Sequence, residues 1–279
     1  MSVTTAATGE RVRGDPWSRV EGRPDIYDYV PADASGQVVQ WHVNFADAHL
    51  FVAYAGPLFA QDEMQVAEHP ALGALRESLV AGGHSPRTVQ DGRPTPITIS
   101  GVERRCVVAT NANAAEGRAE GLYGNHFAAA DLDVVRRATR SIRPPTLTNL
   151  IAMAALEGGT GAYTRHEIEH TLVTAYTGFR AAVCESGGRP ATVHTGFWGC
   201  GAFGGNRRLM AMLQVIAAEL AGVHRLVFHA LDEAGVEALE QAEADWRRRV
   251  RQGEQEWAAS EVIERIEACG YRWGVSDGN

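Results

Sequence analysis

Lysine is absent from the 279 residues, so all 26 basic positions are arginine. Set against 34 acidic residues, they leave a formal charge of −8. Such a chain lacks the basic footprint that a sequence-independent nucleic-acid binder needs. The arginine-only habit goes with a heavy alanine and glycine load; it reads as a GC-rich coding bias and says little about mechanism. Cysteine is scarce: Cys106, Cys184, Cys200 and Cys269 are widely spaced and form no C-x-x-C pair. That predicts free thiols in a reducing compartment. No run approaches the ~18 apolar residues of a membrane span. Met1-Ser2-Val3-Thr4-Thr5 has neither the basic nor the apolar region of a signal peptide. The expectation is a soluble, cytoplasmic protein with neither a membrane nor a nucleic-acid partner. Nothing in the sequence speaks to its oligomeric state. No repeat, low-complexity tract or interdomain linker interrupts it.

What is abundant is glycine, and it concentrates in one place. Five glycines fall within residues 196–205, between the apolar run Ala191-Thr192-Val193 and a helical pattern beginning near Asn206. Glycine permits positive φ and close backbone approach. A glycine-rich turn that opens a helix presents bare N–H groups, and the helix dipole favours an anion there. The turn reads either as a phosphate cradle at the carboxyl end of a strand or as a tight, ligand-free strand-to-helix connection. Glycine count leaves the two level. Neither G-x-G-x-x-G nor the P-loop Gly-Lys-Ser/Thr occurs here.

In chain order, residues 1–35 are polar and broken by Pro16, Gly22, Pro24 and Pro31, which predicts an extended arm packed through Trp17 and Tyr27. Residues 38–44 predict the first core strand. Gln61-Asp62-Glu63 opens a helix stopping near Pro70, and Leu72, Leu75 and Leu79 mark a second, ended by Gly82-Gly83. A loop over 83–101 with a short strand at 97–99 follows, then a buried strand at 106–109, an irregular stretch over 110–130 and a central strand at 147–156. Residues 164–185 show helix periodicity. Strand 191–195, the glycine turn, helix 206–221 and strand 225–228 make a βαβ unit. From 232 to about 269 the pattern is helical and charged. Alternation of strands and helices predicts a three-layer α/β/α domain over 36–279, with a mixed sheet, helices on both faces and a helical tail over about 232–279.

The run Gly196-Phe197-Trp198-Gly199-Cys200-Gly201-Ala202-Phe203-Gly204-Gly205-Asn206 resembles the signature of poly(ADP-ribose) glycohydrolases, Gly-Asn-Trp-Gly-Cys-Gly-Ala-Phe-Gly-Gly-Asp. The likeness extends outward. Ile151 to Leu156 is similar to the family's strand before its long helix, and Ala175-Tyr176-Thr177-Gly178-Phe179 resembles that helix's end, Ala-Tyr-Cys-Gly-Phe. Upstream, Val43-Asn44-Phe45-Ala46-Asp47 resembles Val-Asp-Phe-Ala-Asn, and Gln61-Asp62-Glu63 stands at the family's spacing for Gln-Glu-Glu. The resemblance implies a macrodomain-like fold and hydrolysis of a ribosyl bond in an ADP-ribosyl or NAD-derived compound, a place in NAD metabolism, with no metal or cofactor. It also implies the roles. Glu63 is the general acid/base and Asp62 holds the ribose hydroxyls. Gln61 orients the pair, with Asn44 and Asp47 beside them. Gly199, Gly201, Ala202, Gly204, Gly205 and Asn206 cradle phosphate oxygens. Phe197 and Phe203 face the ligand, and Tyr123 closes over it. The chemistry needs one carboxyl of raised pKa to protonate the leaving group and then activate water.

Four departures stand out. The family's Gly-Gly-Gly becomes Phe51-Val52-Ala53, its signature Asn becomes Phe197, its closing Asp becomes Asn206, and its first acid shortens to Asp62. A bulky residue does not take glycine's backbone angles cheaply. This favours a small ADP-ribosylated or NAD-derived substrate over a polymer. The same substitutions also admit a catalytically inactive ADP-ribose reader. A third reading comes from His166-Glu167-Ile168-Glu169-His170, which matches H-E-x-x-H, the helix of zinc peptidases. There the two histidines lie ~200° from Ile168, on what a solvated face would also present.

Overall fold

A computed structural model describes residues 11–13, 19–29, 36–252 and 256–278. In chain order the elements are β1 (Arg11–Arg13), β2 (Arg19–Arg23), β3 (Val39–Ala46), α1 (Gln61–Glu68), α2 (Ala71–Ala81), β4 (Val89–Gln90), β5 (Arg93–Pro94), β6 (Ile97–Val108), α3 (His126–Ala129), α4 (Leu132–Ala138), β7 (Thr139–Ala154), α5 (Arg165–Glu185), β8 (Ala191–Gly196), α6 (Arg207–Ala221), β9 (Arg225–His229), α7 (Glu233–Asp245), β10 (Glu256–Ala258) and α8 (Ala259–Ala268). Six strands form the main sheet in the order β2-β9-β8-β3-β7-β6. All neighbours run parallel except β6 against β7.

The two faces follow from period-2 alternation. Trp41 and Val43 of β3, Ile151 and Met153 of β7, Val193 of β8 and Phe228 of β9 point one way, into the main core, with residues of α5, α6, α7 and α8. Helix α6 is buried almost all round, from Leu209 to Ala218. The other face splits in two. Leu150 and Ala152 join Leu50, Phe51, Val66 and Leu72 in a smaller apolar cluster beneath α1 and α2. Beside it the same face is polar: His42, Asn44, His194 and His229 are all buried there.

The structure corrects several expectations. The stretch expected to be an arm supplies β2, a parallel edge strand paired with β9 from Arg19↔Arg225 to Arg23↔His229. Tyr27 then crosses onto the polar face, its single hydroxyl proton within reach of the carbonyls of Val43 (3.0 Å) and His194 (3.2 Å). Trp17 lies outside the described residues. The separate strands expected at 97–99 and 106–109 are one, β6, which passes Gly101 with register shifts at Ile99/Val102 and Arg104/Cys106. Strand β7 begins at Thr139, earlier than the apolar run, because its first half lies against that extension. The tail is not continuously helical. A π-helical turn, Trp246–Val250, ends α7, and β10 pairs antiparallel with β1.

Candidate active site

Strands β3 and β8 pair only from Val39↔Ala191 to His42↔His194. Beyond that register they part, opening a crevice at their carboxyl ends. The chain leaves β3 toward β7 on one side and returns through β8 on the other, the kind of switch point where α/β sheets bind ligands. Parting leaves backbone groups of β3 unpaired, and buried amides must find partners. Gln61 supplies them: its Oε1 accepts from the Phe45 amide (2.7 Å) and its Nε2 donates to the Val43 carbonyl (3.0 Å). One side chain thus pins the first turn of α1 to the crevice.

Both acids of that turn are buried. The Glu63 carboxylate closes a capping interaction, Oε2 accepting from the Ala60 amide at 3.0 Å. Burial pushes its pKa up, backbone N–H groups oppose this, and the charge of Asp47 adds to it. Asp62 Oδ1 accepts from Asn44 Nδ2 at 2.9 Å. Burial lifts Asp62 to about 7, the Asn44 contact pulls it down, and the charges of Glu63 and Asp47 push it up. Asn44 Nδ2 also donates to Gln65 Oε1 (2.9 Å), and Gln65 Nε2 donates to the Tyr29 hydroxyl (2.9 Å). The Arg104 guanidinium lies 4.2 Å from the Tyr29 ring centre and pairs with Glu68 at 2.8 Å. The clamp on Asp62 is therefore part of a buried chain reaching the far edge of the sheet.

Next to it stand three histidines. His42 stacks on His194 at 4.4 Å, His194 Nδ1 meets His229 Nε2 at 3.0 Å, and His229 Nδ1 meets Asp25 at 2.7 Å. Burial drives His42 well down and His194 to about 3, so both rings are neutral near pH 7. These histidines, with Gln65 and Tyr29, were not singled out from the sequence. They sit one per strand with no short spacing, and only the sheet register brings them together.

Across the crevice the loop after β8 turns tightly. Gly199 and Gly204 have φ of 74° and 65°. The Gly205 amide donates to Gly199 O, and the Gly204 amide to Gly201 O, both at 2.9 Å. The amides of Gly201, Ala202 and Phe203 donate to no group among the described residues. Asn206 caps α6, Oδ1 accepting from the Leu209 amide at 3.1 Å. Burial pushes the Cys200 thiol up to about 12, which keeps it protonated near pH 7.

Asp62, Glu63, Gln61, Asn44 and Asp47 are brought together at the start of α1. Asp47, next to β3, accepts from the His49 amide at 2.7 Å. Tyr123 is on a loop held by the Phe59–Gly124 bridge; burial raises its pKa, and the charges of Asp277 and Glu63 add to this. Phe203 is half-buried in the loop. Phe197 departs from expectation. It is buried in the main core, its ring 5.0 Å from Phe228 and under the Arg207 guanidinium, so it packs the loop's base rather than facing a ligand.

Phe51 brings a second correction. It adopts φ of 53°, the left-handed backbone that a glycine would take, and its ring is fully buried in the smaller apolar cluster. The bulky residue therefore keeps a glycine-like backbone turn, its strain offset by burial of the ring. Phe51→Gly relieves about 1–2 kcal/mol of strain but forfeits the ~3–5 kcal/mol typical of a buried Phe truncation. We expect net destabilisation of about 2 kcal/mol in urea unfolding.

The H-E-x-x-H helix shows no metal geometry. Glu167 closes the capping box of α5, Oε2 accepting from the Thr164 amide (2.7 Å) and hydroxyl (2.8 Å). The rings of His166 and His170 are 6.2 Å apart. Among the described residues no group of three or more His, Cys, Asp or Glu is placed to hold a metal.

Residues 96–238 match the family model described as poly(ADP-ribose) glycohydrolase, macrodomain fold. The match begins downstream of Asp62 and Glu63. Among solved structures, poly(ADP-ribose) glycohydrolase from Thermomonospora curvata bound to the inhibitor ADP-HPD aligns over 88% of this chain and 88% of its own, at 16% identity and a TM-score of 0.50. The enzyme from Deinococcus radiodurans in complex with ADP-ribose aligns over 84% of this chain and 88% of its own, at 15% identity and a TM-score of 0.46. The sequence match over residues 96–238 shows the lineage, and the first of these structures agrees on the fold: the chain belongs to the poly(ADP-ribose) glycohydrolase family and has its macrodomain fold.

Proposed function

We propose that the protein hydrolyses the ribosyl glycosidic bond of ADP-ribosyl compounds, with Glu63 as the acid/base. One observation carries the reading. A buried carboxyl of raised pKa, fixed by a backbone cap after the carboxyl end of β3, shares that end of the sheet with a glycine loop whose Gly201, Ala202 and Phe203 amides donate to no group among the described residues. The loop holds the diphosphate through the Gly201, Ala202 and Phe203 amides, Phe203 packs against the sugar, and Tyr123 covers the ligand. Glu63 protonates the departing oxygen as the C1–O bond breaks and the ribosyl centre becomes oxocarbenium-like. The resulting carboxylate then takes a proton from the attacking water. Asp62 accepts hydrogen bonds from the ribose hydroxyls, and Asn44 and Gln61 keep it and its helix in place. The products are free ADP-ribose and the leaving alcohol.

The left-handed turn at Phe51 weakens the case against a polymer, so ADP-ribose polymer is the first substrate to try, beside protein-linked ADP-ribose and NAD-derived small molecules. Release of free ADP-ribose from any of them supports the proposal. Tight ADP-ribose binding without turnover of any would instead mark a reader.

A further inference from the structure

The segment 271–278 leaves α8 and crosses the glycine loop. It starts on firm ground: Trp273 stacks on Tyr163 at 4.2 Å, its amide donates to Gly161 O (2.9 Å), and the Tyr163 amide donates to Tyr271 O (2.9 Å). It then runs along the loop. The Gly274 amide donates to Gly204 O at 2.8 Å, and the Asp277 amide to Gly201 O at 3.4 Å. Contact is so close that a Cβ at Gly204 would lie 3.1 Å from the Ser276 amide nitrogen. A Cβ at Gly201 would lie 3.0 Å from Asp277 Oδ2. At its far end Gly278 O accepts from Asn125 Nδ2 at 2.9 Å, two residues from Tyr123. The segment thus spans from the loop to the wall that carries Tyr123, and lays a carboxylate on the loop.

We infer that residues 274–278 are a displaceable strap that lies over the glycine loop, its Asp277 carboxylate against Gly201, and keeps the site covered until ligand displaces it. The inference rests on the proposed reading of the loop as a diphosphate cradle. Two features support displacement rather than permanent closure. All five residues are exposed, Val275 at 91%, so the strap is held by backbone contacts without buried side chains. Such segments open at low cost. Its anchor also accounts for a sequence departure. Asn206 Nδ2 donates to Arg272 O at 2.9 Å, a bond that the family's aspartate, being acceptor-only, could not make.

A strap that competes with ligand lowers apparent affinity by the fraction of open molecules. A chain ending after Gly274 keeps the Trp273 anchor and is expected to bind ADP-ribose about tenfold more tightly than the full chain by calorimetry. Asn125→Ala, which frees only the far end, is expected to gain about two- to threefold. Hydrogen exchange at residues 199–204, without ligand, is expected to quicken in the shortened chain. Equal or weaker binding by the shortened chain overturns the inference, as does unchanged exchange. Silence of both chains toward ADP-ribose overturns it too and removes the diphosphate reading with it; the ligand-free exchange tells the two failures apart.

Discussion

Glu63→Gln is expected to lower the rate of ADP-ribose release by about 10²–10⁴-fold, the usual worth of a positioned acid/base. The substitution is chosen to spare the fold. Glutamine offers the same oxygen to the Ala60 amide that Glu63 Oε2 engages at 3.0 Å, so the cap on α1 survives. What is lost is the proton. Because ADP-ribose is product rather than transition state, its affinity should change by less than about threefold. Turnover and product binding therefore separate the chemistry from the pocket. A variant that turns over at the wild-type rate would remove Glu63 from the mechanism and turn attention to Asp62.

Asp62→Asn is expected to stabilise the protein at pH 8. Asp62 ordinarily titrates near 3.8, and burial lifts it to about 7 in the folded chain. Below about pH 4 both folded and unfolded chains hold the proton, and the site costs nothing. Between about 4 and 7 the unfolded chain releases it first, so stability falls as pH rises. Above about 7 the full penalty applies, at most about 4 kcal/mol for a shift of this size. Asparagine never ionises, and its carbonyl can keep the contact from Asn44 Nδ2. We expect a gain of about 2–4 kcal/mol at pH 8, shrinking toward pH 5, in urea unfolding. A gain that is the same at both pH values would mean that Asp62 is not held protonated. Loss of activity in the more stable variant would mark Asp62 as a residue kept for function at the expense of stability.

The parts legible in the sequence are those whose signals are local. The glycine turn, its preceding strand and α6 were readable because apolar run, glycines and helical period follow one another within about thirty residues. The first turn of α1 was readable as a polar helix start, and only the family resemblance made it a site. Two kinds of feature were hidden. Gly101 and Pro144-Pro145 are turn signals by composition, yet β6 and β7 continue past them: each falls at a register shift, where pairing lapses and then resumes on both sides. The Asn44–Gln65–Tyr29–Arg104 chain and the histidine stack draw residues from six separate stretches. Each alone reads as a polar residue in a strand or helix, and only register places them on one face. Phe51 was misjudged for a related reason: its backbone angle is set by the pocket its ring fills, which no neighbouring residue announces.

Strand β2 has a consequence for how the molecule is made. Its partner β9 lies roughly 200 residues later in the chain, a separation at which loop closure is slow to be rewarded. A ribosome delivers the chain from the amino end, so the segment around Arg19–Arg23 emerges long before anything exists for it to join. Tyr27 and Tyr29 follow it and cover the polar layer beside Asp62. The docking of β2, and with it the cover beside Asp62, must therefore wait until β9 and the βαβ unit carrying the glycine loop have been made.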